Sequence, residues 1–369
     1  MVFRLPGREE VALLNPSAYE IWLLCDGWRT QEEIAEHLAD RYQLSADELR
    51  SDVEDAIART EALGLIEGPR TKSRSVTLTL QTENDTRGFF AILHSVWSAL
   101  YMVGSEYAKR VTLLDGEDDY WETLFEPTTD LLTPGAENIE LKPLRADLLI
   151  EQFPELVRED YTLDVLPHHL ATWPKGRVFA ERLGNRNARR RMHRVYSSLI
   201  RPRRWILDEV EAFCRAGIGD HPTIGLHLRS TRHLGVVMEA QQFVDDVVGP
   251  AVERIVAREG LDDYRVFVAS HVGDYIRHCR RKFGDRLIER DIKRDPDPAT
   301  DFLLLDATRS ESARDVLVDC LILSRCNFVV GVPSNVLLAS LIFNPENDLE
   351  IFDYAMDLRE SLEFFPTRP

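Results

Sequence analysis

Apolar positions recur along this chain in two rhythms. At the start, the short apolar segments Val2 to Leu5 and Val11 to Leu14 flank Pro6-Gly7-Arg8-Glu9-Glu10, which signals a hairpin. The spacing then turns helical. Asn15-Pro16-Ser17 predicts a capped helix start ahead of Ala18, Ile21, Trp22 and Leu24, and Asp26-Gly27 ends that helix. Thr30 with Glu33, and Ser45 with Glu48, are two capping boxes. The first opens a helix burying Ile34, Leu38 and Tyr42; the second opens one whose Leu49, Val53, Ile57 and Leu63 recur at helical spacing up to Gly64. A hairpin followed by three helices is a small winged-helix pattern, and it occupies residues 1–68. Polar residues from Gly68 to Arg74 mark a linker over 69–75.

Beyond the linker, apolar strands alternate with helices to the end, which is the α/β pattern. Strands are expected at Val76 to Leu80 and Val111 to Leu114, with a helix from Phe89 to Val103 between them. A second series has strands at Thr223 to His227, Arg265 to Ala269, Leu303 to Leu305 and Phe328 to Val330, separated by helices near 240–259, 272–283 and 312–325. Two such series in tandem predict two Rossmann-like lobes, 76–205 and 206–369, with a cleft between them.

Charge narrows the functions open to this scaffold. The 369 residues carry 45 Lys plus Arg against 63 Asp plus Glu, a net charge of −18, so the global field repels nucleic acid and anionic membranes. The first 70 residues hold seven arginines against fifteen acids, which argues for a protein-facing wing over a DNA-reading one. The exception lies between the lobes, where Trp173 to Arg204 holds eleven Lys plus Arg against the single Glu181. Those cations either pair with the protein's own acidic surface or serve an anionic donor or the acidic residues of a bound peptide. No apolar run approaches the roughly 18 to 20 residues that span a bilayer, and the amino terminus lacks a secretory apolar stretch, so a cytoplasmic location is expected. Five scattered cysteines, Cys25, Cys214, Cys279, Cys320 and Cys326, without a CxxC pair read as buried reduced thiols.

Residues 1–68 resemble the PqqD-like family, also called RiPP recognition elements, through Leu14-Asn15-Pro16-Ser17-Ala18, Ile21 to Gly27, Thr30-Gln31-Glu32-Glu33-Ile34, and Asp52-Val53 leading to Leu63-Gly64-Leu65-Ile66. The resemblance implies that the leader of a ribosomally made precursor peptide adds as a strand beside the small sheet. The peptide-binding residues would then be Val11 and Leu13 on the docking edge and Leu49 and Val53 on the third helix. Those helix residues also fit a plain core.

Candidate chemistry concentrates in the carboxyl-terminal lobe. GxGxxG after the early strands, GxxxxGK[ST], GxSxG and HExxH are all missing from the sequence. Instead, the apolar strand Thr223 to His227 runs into His227-Leu228-Arg229, whose two polar side chains, two apart, share one face at the strand's carboxyl end. A guanidinium there can hold a diphosphate through its planar fork, and a histidine can hydrogen-bond a base or ribose. Downstream, Asp319 sits among apolar residues in Asp315 to Cys326, where a carboxylate needs hydrogen-bond donors such as a nucleobase supplies. Gly331-Val332-Pro333-Ser334-Asn335 then precedes a helix, so Ser334 either caps that helix, serves an anion at its amino terminus, or both.

These residues resemble the GT-B fucosyltransferases of the α1,6-fucosyltransferase and NodZ superfamily over about residues 75–345. The matching stretches are Asn84 to Phe89, Trp121 to Pro127, His227-Leu228-Arg229 and Asp319 to Ser334. The resemblance implies a GT-B-like pair of lobes and an inverting, metal-independent transfer from GDP-fucose or another GDP-sugar, without a cofactor. His227 and Asp319 would hold guanine, Arg229 the β-phosphate, and Ser334 with Asn335 the phosphates; Glu239 or His233 would be the catalytic base. Departures are His227 to Arg232 reading HLRSTR and Ala269 to Val272 reading ASHV, which leave sugar and acceptor open. Together the halves imply a leader-guided glycosyltransferase. Alternatives are a transferase acting on an oligosaccharide or small natural product with a structural wing, and a non-catalytic peptide-binding adaptor.

Overall fold

The computed structural model describes residues 2–4, 11–25, 31–63, 65, 71–81, 88–104, 107–115, 118–127, 131–141, 153–158, 184–197, 199–229, 238–294, 309–332 and 334–351. The wing opens with β1 (Val2–Arg4) and β2 (Val11–Leu13), paired antiparallel with Val2 opposite Leu13. Helix α1 (Pro16–Leu24) is capped by Asn15, whose side chain accepts from the Ala18 N–H at 2.7 Å. Helices α2 (Gln31–Tyr42) and α3 (Ala46–Ala62) follow. The Ser45–Glu48 capping box is complete in both directions, at 3.2 and 3.0 Å, whereas Thr30 lies outside the described residues. Ile21, Ile34, Ala35, Leu38, Val53, Ala56 and Ile57 form the wing's own core. Tyr42, expected inside, is exposed, because its hydroxyl turns outward to Glu20.

The next unit is a four-stranded sheet in the order β5-β4-β3-β6, built from β3 (Thr71–Gln81), β4 (Tyr107–Asp115), β5 (Asp118–Asp119) and β6 (Leu131–Leu141). β3 runs parallel to β4 and β6, and β5 is antiparallel to β4. Helix α4 (Phe89–Met102) crosses from β3 to β4. It is apolar on nearly every side, so it must be covered all round. Its second cover comes from further along the chain. Trp97 stacks on Tyr196 of α6 (Arg186–Tyr196) with ring centroids 4.9 Å apart, and meets Phe343 edge-on at 5.8 Å. The short helix α5 (Trp121–Leu124) buries Trp121, Leu124 and Phe125 in this same core, which gives that sequence stretch a packing role.

Helix α7 (Arg204–Phe213) leads into the last unit, a fully parallel sheet in the order β11-β10-β7-β8-β9. Its strands are β7 (Thr223–His227), β8 (Arg265–Ala269), β9 (Leu287–Ile288), β10 (Phe328–Gly331) and β11 (Asp348–Ile351). Numbered by appearance within the unit, the order is 5-4-1-2-3, the doubly wound arrangement of dinucleotide-type folds. The helices are α8 (Ala240–Phe243), continued through a π-helical turn at Val244–Val248 into α9 (Gly249–Glu259), then α10 (Gly273–Phe283), α11 (Arg309–Arg325) and α12 (Asn335–Phe343). Leu303 to Leu305, expected as a strand, lies outside the described residues, and β9 is the strand beside β8.

The three units thus make a mixed α/β protein with one largely parallel and one fully parallel sheet behind a small winged helix. One apolar cluster joins the two sheets, since Trp97, Tyr196, Phe267, Leu317 and Leu338 all belong to it. Four strands absent from the sequence-based expectation are the two-residue β5 and β9 and the longer β6 and β11. β6 contains Pro134 and Gly135, ordinary strand breakers that are tolerated here on an edge with a register shift opposite Lys72 to Arg74. None of the five thiols is joined in a disulfide; three are buried, and Cys25 and Cys214 are only half-buried, a departure from the expected uniform burial.

Gly225, in the middle of β7, marks the tightest packing. A Cβ built there would lie 2.8 Å from Cys326 Sγ and 2.9 Å from Leu323 Cδ2, so α11 approaches β7 only because the side chain is missing. Gly225→Ala should therefore destabilise the protein by about 1–3 kcal/mol through overpacking. A chemical denaturation midpoint equal to that of the parent protein would show that α11 does not seat against this strand as described.

Candidate functional site

β7 and β10 are adjacent, yet the chain leaves them in opposite directions across the sheet, β7 toward β8 and β10 toward β11. This is the switch point, where a parallel sheet opens a crevice at its carboxyl edge. His227 ends β7 and Gly331, its direct partner in the register, ends β10. A side chain at 331 would collide with the His227 carbonyl oxygen at 2.8 Å, so glycine lets the two strand ends close up.

Three of the candidate residues meet there. The Ser334 hydroxyl lies 3.1 Å from His227 Nδ1 and also accepts the Leu337 N–H at 3.1 Å, so it caps α12 while holding the imidazole. Arg229, half-buried, follows two residues after His227 and acts on it electrostatically. Burial, with the charges of Arg229 and His271 adding to it, pulls the His227 pKa down to about 3. The ring is thus neutral near pH 7, with one nitrogen protonated and the other an acceptor. Asn335 opens α12 beside them, and its side-chain oxygen is buried without a hydrogen-bond partner among the described residues.

Asp319 occupies a different place. It is 6% exposed on α11, and its Oδ1 accepts from Arg290 Nη1 at 3.0 Å. Arg290, 7% exposed, also donates to the Asp315 carbonyl and carboxylate and to Glu209 of α7 at 2.9 to 3.1 Å. The hydrogen bonds that the sequence requires for this carboxylate are therefore supplied in part from inside the protein. Burial, opposed by Arg290, pushes the Asp319 pKa up to about 6. Arg294 extends the cluster to the end of β8, donating to the Ser270 carbonyl at 3.2 Å and the Arg290 carbonyl at 2.7 Å. Sequence reasoning missed Arg290 and Arg294. They sit in the polar run Glu289 to Arg294, which reads as a loop, and the need of Asp319 for a partner was the one available signal.

The remaining candidates scatter. Glu239 is exposed at the start of α8, and His233 lies outside the described residues. In the wing, Leu13 is 75% exposed on β2, which forms an edge of its sheet among the described residues. Leu49 is half-buried, Val53 is 1% exposed within the wing core, and the Val11 side chain lies outside the described residues. Much of the basic stretch is internally paired: Arg186 with Asp348, Arg190 with Glu346, Arg201 with Glu33, Arg203 with Glu126, and Arg204 with Asp208. Lys175, Arg177 and Arg182 lie outside the described residues. Among the described residues, no cluster of three or more His, Cys, Asp or Glu side chains is arranged to hold a metal ion, and no helix is long and apolar enough to cross a membrane.

Against known proteins, residues 5–66 match the family described as coenzyme PQQ synthesis protein D (PqqD). Among solved structures, the NodZ α-1,6-fucosyltransferase soaked with GDP-fucose is 15% identical with a TM-score of 0.39, over 74% of this chain and 93% of that one. The fucosyltransferase NodZ from Bradyrhizobium is 16% identical with a TM-score of 0.38, over 73% and 93%. POFUT1 in complex with GDP is 11% identical with a TM-score of 0.38, over 76% and 99%. No curated protein matches the sequence.

Two measurements check the site. Because the folded pKa of His227 is depressed, its contribution to stability is present above the unfolded value near 6.5 and is lost as pH falls toward 3. Its ring resonances should stay neutral from pH 8 to 5 in an NMR titration, and protonation near pH 6.5 would contradict its burial. Arg290→Met should cost about 3–5 kcal/mol by stranding Asp319, and most of that should return in the double variant Arg290→Met/Asp319→Leu. An additive double variant would mean that the two side chains do not form a pair.

Proposed function

We propose that the chain is an inverting, metal-independent glycosyltransferase that takes a GDP-sugar donor and modifies a precursor peptide recruited through its leader by the wing. The observation that carries the donor half is the meeting of a neutral imidazole, a guanidinium and a helix amino terminus at the switch point of a doubly wound sheet. Such a crevice suits a nucleoside diphosphate, because phosphate oxygens find N–H donors and a fixed positive charge while the base finds a neutral partner.

In this reading the acceptor hydroxyl attacks the anomeric carbon as the bond from that carbon to the β-phosphate oxygen breaks, inverting the centre. Arg229 offsets the charge left on the departing GDP. Free N–H groups in the first turn of α12 add to it; Ser334 already takes the Leu337 N–H, so it orders that turn and orients His227. His227 and Asp319 are the guanine partners, with Arg290 holding Asp319 in place. Glu239 takes the acceptor proton, and His233 is the second candidate for that role. Because glycosyl transfer develops positive charge on the sugar ring, stabilising the leaving group outweighs the strength of the base.

The wing supports the peptide half. Its β2 edge and exposed Leu13 suit the addition of an extended peptide strand, with half-buried Leu49 on α3 as a side-chain contact. Tethering the leader would raise the concentration of the attached core at the crevice.

Calorimetry should detect GDP binding to the intact protein, and Arg229→Ala should weaken it at least about tenfold with the thermal melt unchanged. GDP-fucose with a hydroxyl-bearing peptide should yield a glycosylated product only when the leader is attached, read by mass spectrometry. No GDP binding at millimolar concentration favours a peptide-binding adaptor. Leader-independent transfer would leave the wing a structural role.

A further inference from the structure

A groove of about 820 Å³ lies at the carboxyl-terminal end of α12, away from the crevice at its amino terminus. One wall is α6, which presents Asn187, Arg190, Arg191 and Arg194; these recur at helical spacing on one face and extend about 10 Å along it. The other wall is Phe343, Asn344, Pro345 and Glu346, in the turn from α12 to β11. Three arginines against one glutamate leave this lining with a positive surplus in a chain whose net charge is −18.

Both walls are held rigidly. The buried Arg189 donates to the Asn347 carbonyl at 2.9 Å, His193 Nδ1 lies 2.8 Å from the Ile342 carbonyl, and Asn344 donates to the Ser324 carbonyl at 2.9 Å and to Asn347 Oδ1 at 2.6 Å. The groove also displays the contact it favours. Glu346 is gripped by the Arg190 fork through two hydrogen bonds of 2.5 and 2.6 Å, which hold its carboxyl below the usual range. Arg194, one turn further along α6, is exposed.

We propose that this groove binds an acidic segment of a polypeptide, whose carboxylates engage the exposed Arg194 in the way Glu346 engages Arg190, beside the charge of Arg190 itself. An extended chain places alternate side chains about 6.5–7 Å apart on one face, comparable to the spacing of successive helical turns along α6. Charge complementarity favours a short acidic peptide over a nucleic acid or an anionic bilayer, since the overall field of the protein opposes any large polyanion. Phe343, half-buried, adds apolar surface to the wall facing α6. The assignment is independent of the donor reading, because the groove and the crevice lie at opposite ends of α12.

The test is fluorescence anisotropy of the full chain with a labelled peptide of alternating glutamate and serine, beside a matched lysine-serine peptide and inorganic phosphate as competitor. The glutamate peptide should bind, weaken several-fold between 50 and about 200 mM salt, and lose at least about tenfold in affinity in Arg194→Glu. Arg194→Gln should show a smaller loss, and an unchanged thermal melt in either variant shows that the fold survives. Equal binding of the lysine peptide, an undiminished affinity in both variants, or no binding at all would overturn the proposal. Displacement by phosphate at concentrations matching the peptide would assign the groove to a small anion and overturn it equally.

Discussion

The closeness of β7 and β10 at their carboxyl ends governs the rest of the site. Gly331 admits the His227 backbone where any side chain would collide, and this contact sets where the imidazole, Ser334 and the start of α12 meet. The same hydroxyl caps the helix and holds the ring, so helix stability and site geometry are coupled through one oxygen. Burial then keeps the imidazole neutral beside a guanidinium well below the pH at which an exposed histidine takes up a proton.

Behind the crevice a second layer of charge is locked up. Arg290 gathers carboxylates from two helices into a site that is nearly closed to water, and Arg294 ties the same loop to the end of β8. Such a network contributes little net stability compared with an apolar replacement, but it sets the relative position of α7, α11 and the loop after β9 tightly. The apolar counterpart lies between the sheets, where α4 is sheathed on all sides and Trp97 bridges α6 and α12. The two sheets therefore share a core, although the chain builds them from separate α/β series.

The basic stretch between the lobes divides along the same lines. Arg186, Arg190, Arg201 and Arg203 each meet an acid far along the chain, so much of the charge excess visible in the sequence joins distant segments, while Arg204 meets Asp208 one turn along its own helix. Arg194, exposed on the same helix as Arg186 and Arg190, lines the groove with Arg190 and Arg191. Arg201 with Glu33 carries one of these links from the wing to the α/β body.

Local signals were legible wherever short-range chemistry decides the outcome. The Asn15 cap, the Ser45–Glu48 box, the apolar runs of β7, β8 and β10, and the His-x-Arg at a strand end all follow from propensity and period, which act over a few residues. What the sequence left undecided depended on partners far along the chain. β6 holds Pro134 and Gly135 and becomes a strand because β3 offers it an edge; Tyr42 faces outward because Glu20 meets its hydroxyl; Asp319 has Arg290 for company instead of open space. A residue's own chemistry states what it needs, and tertiary packing determines which neighbour meets that need.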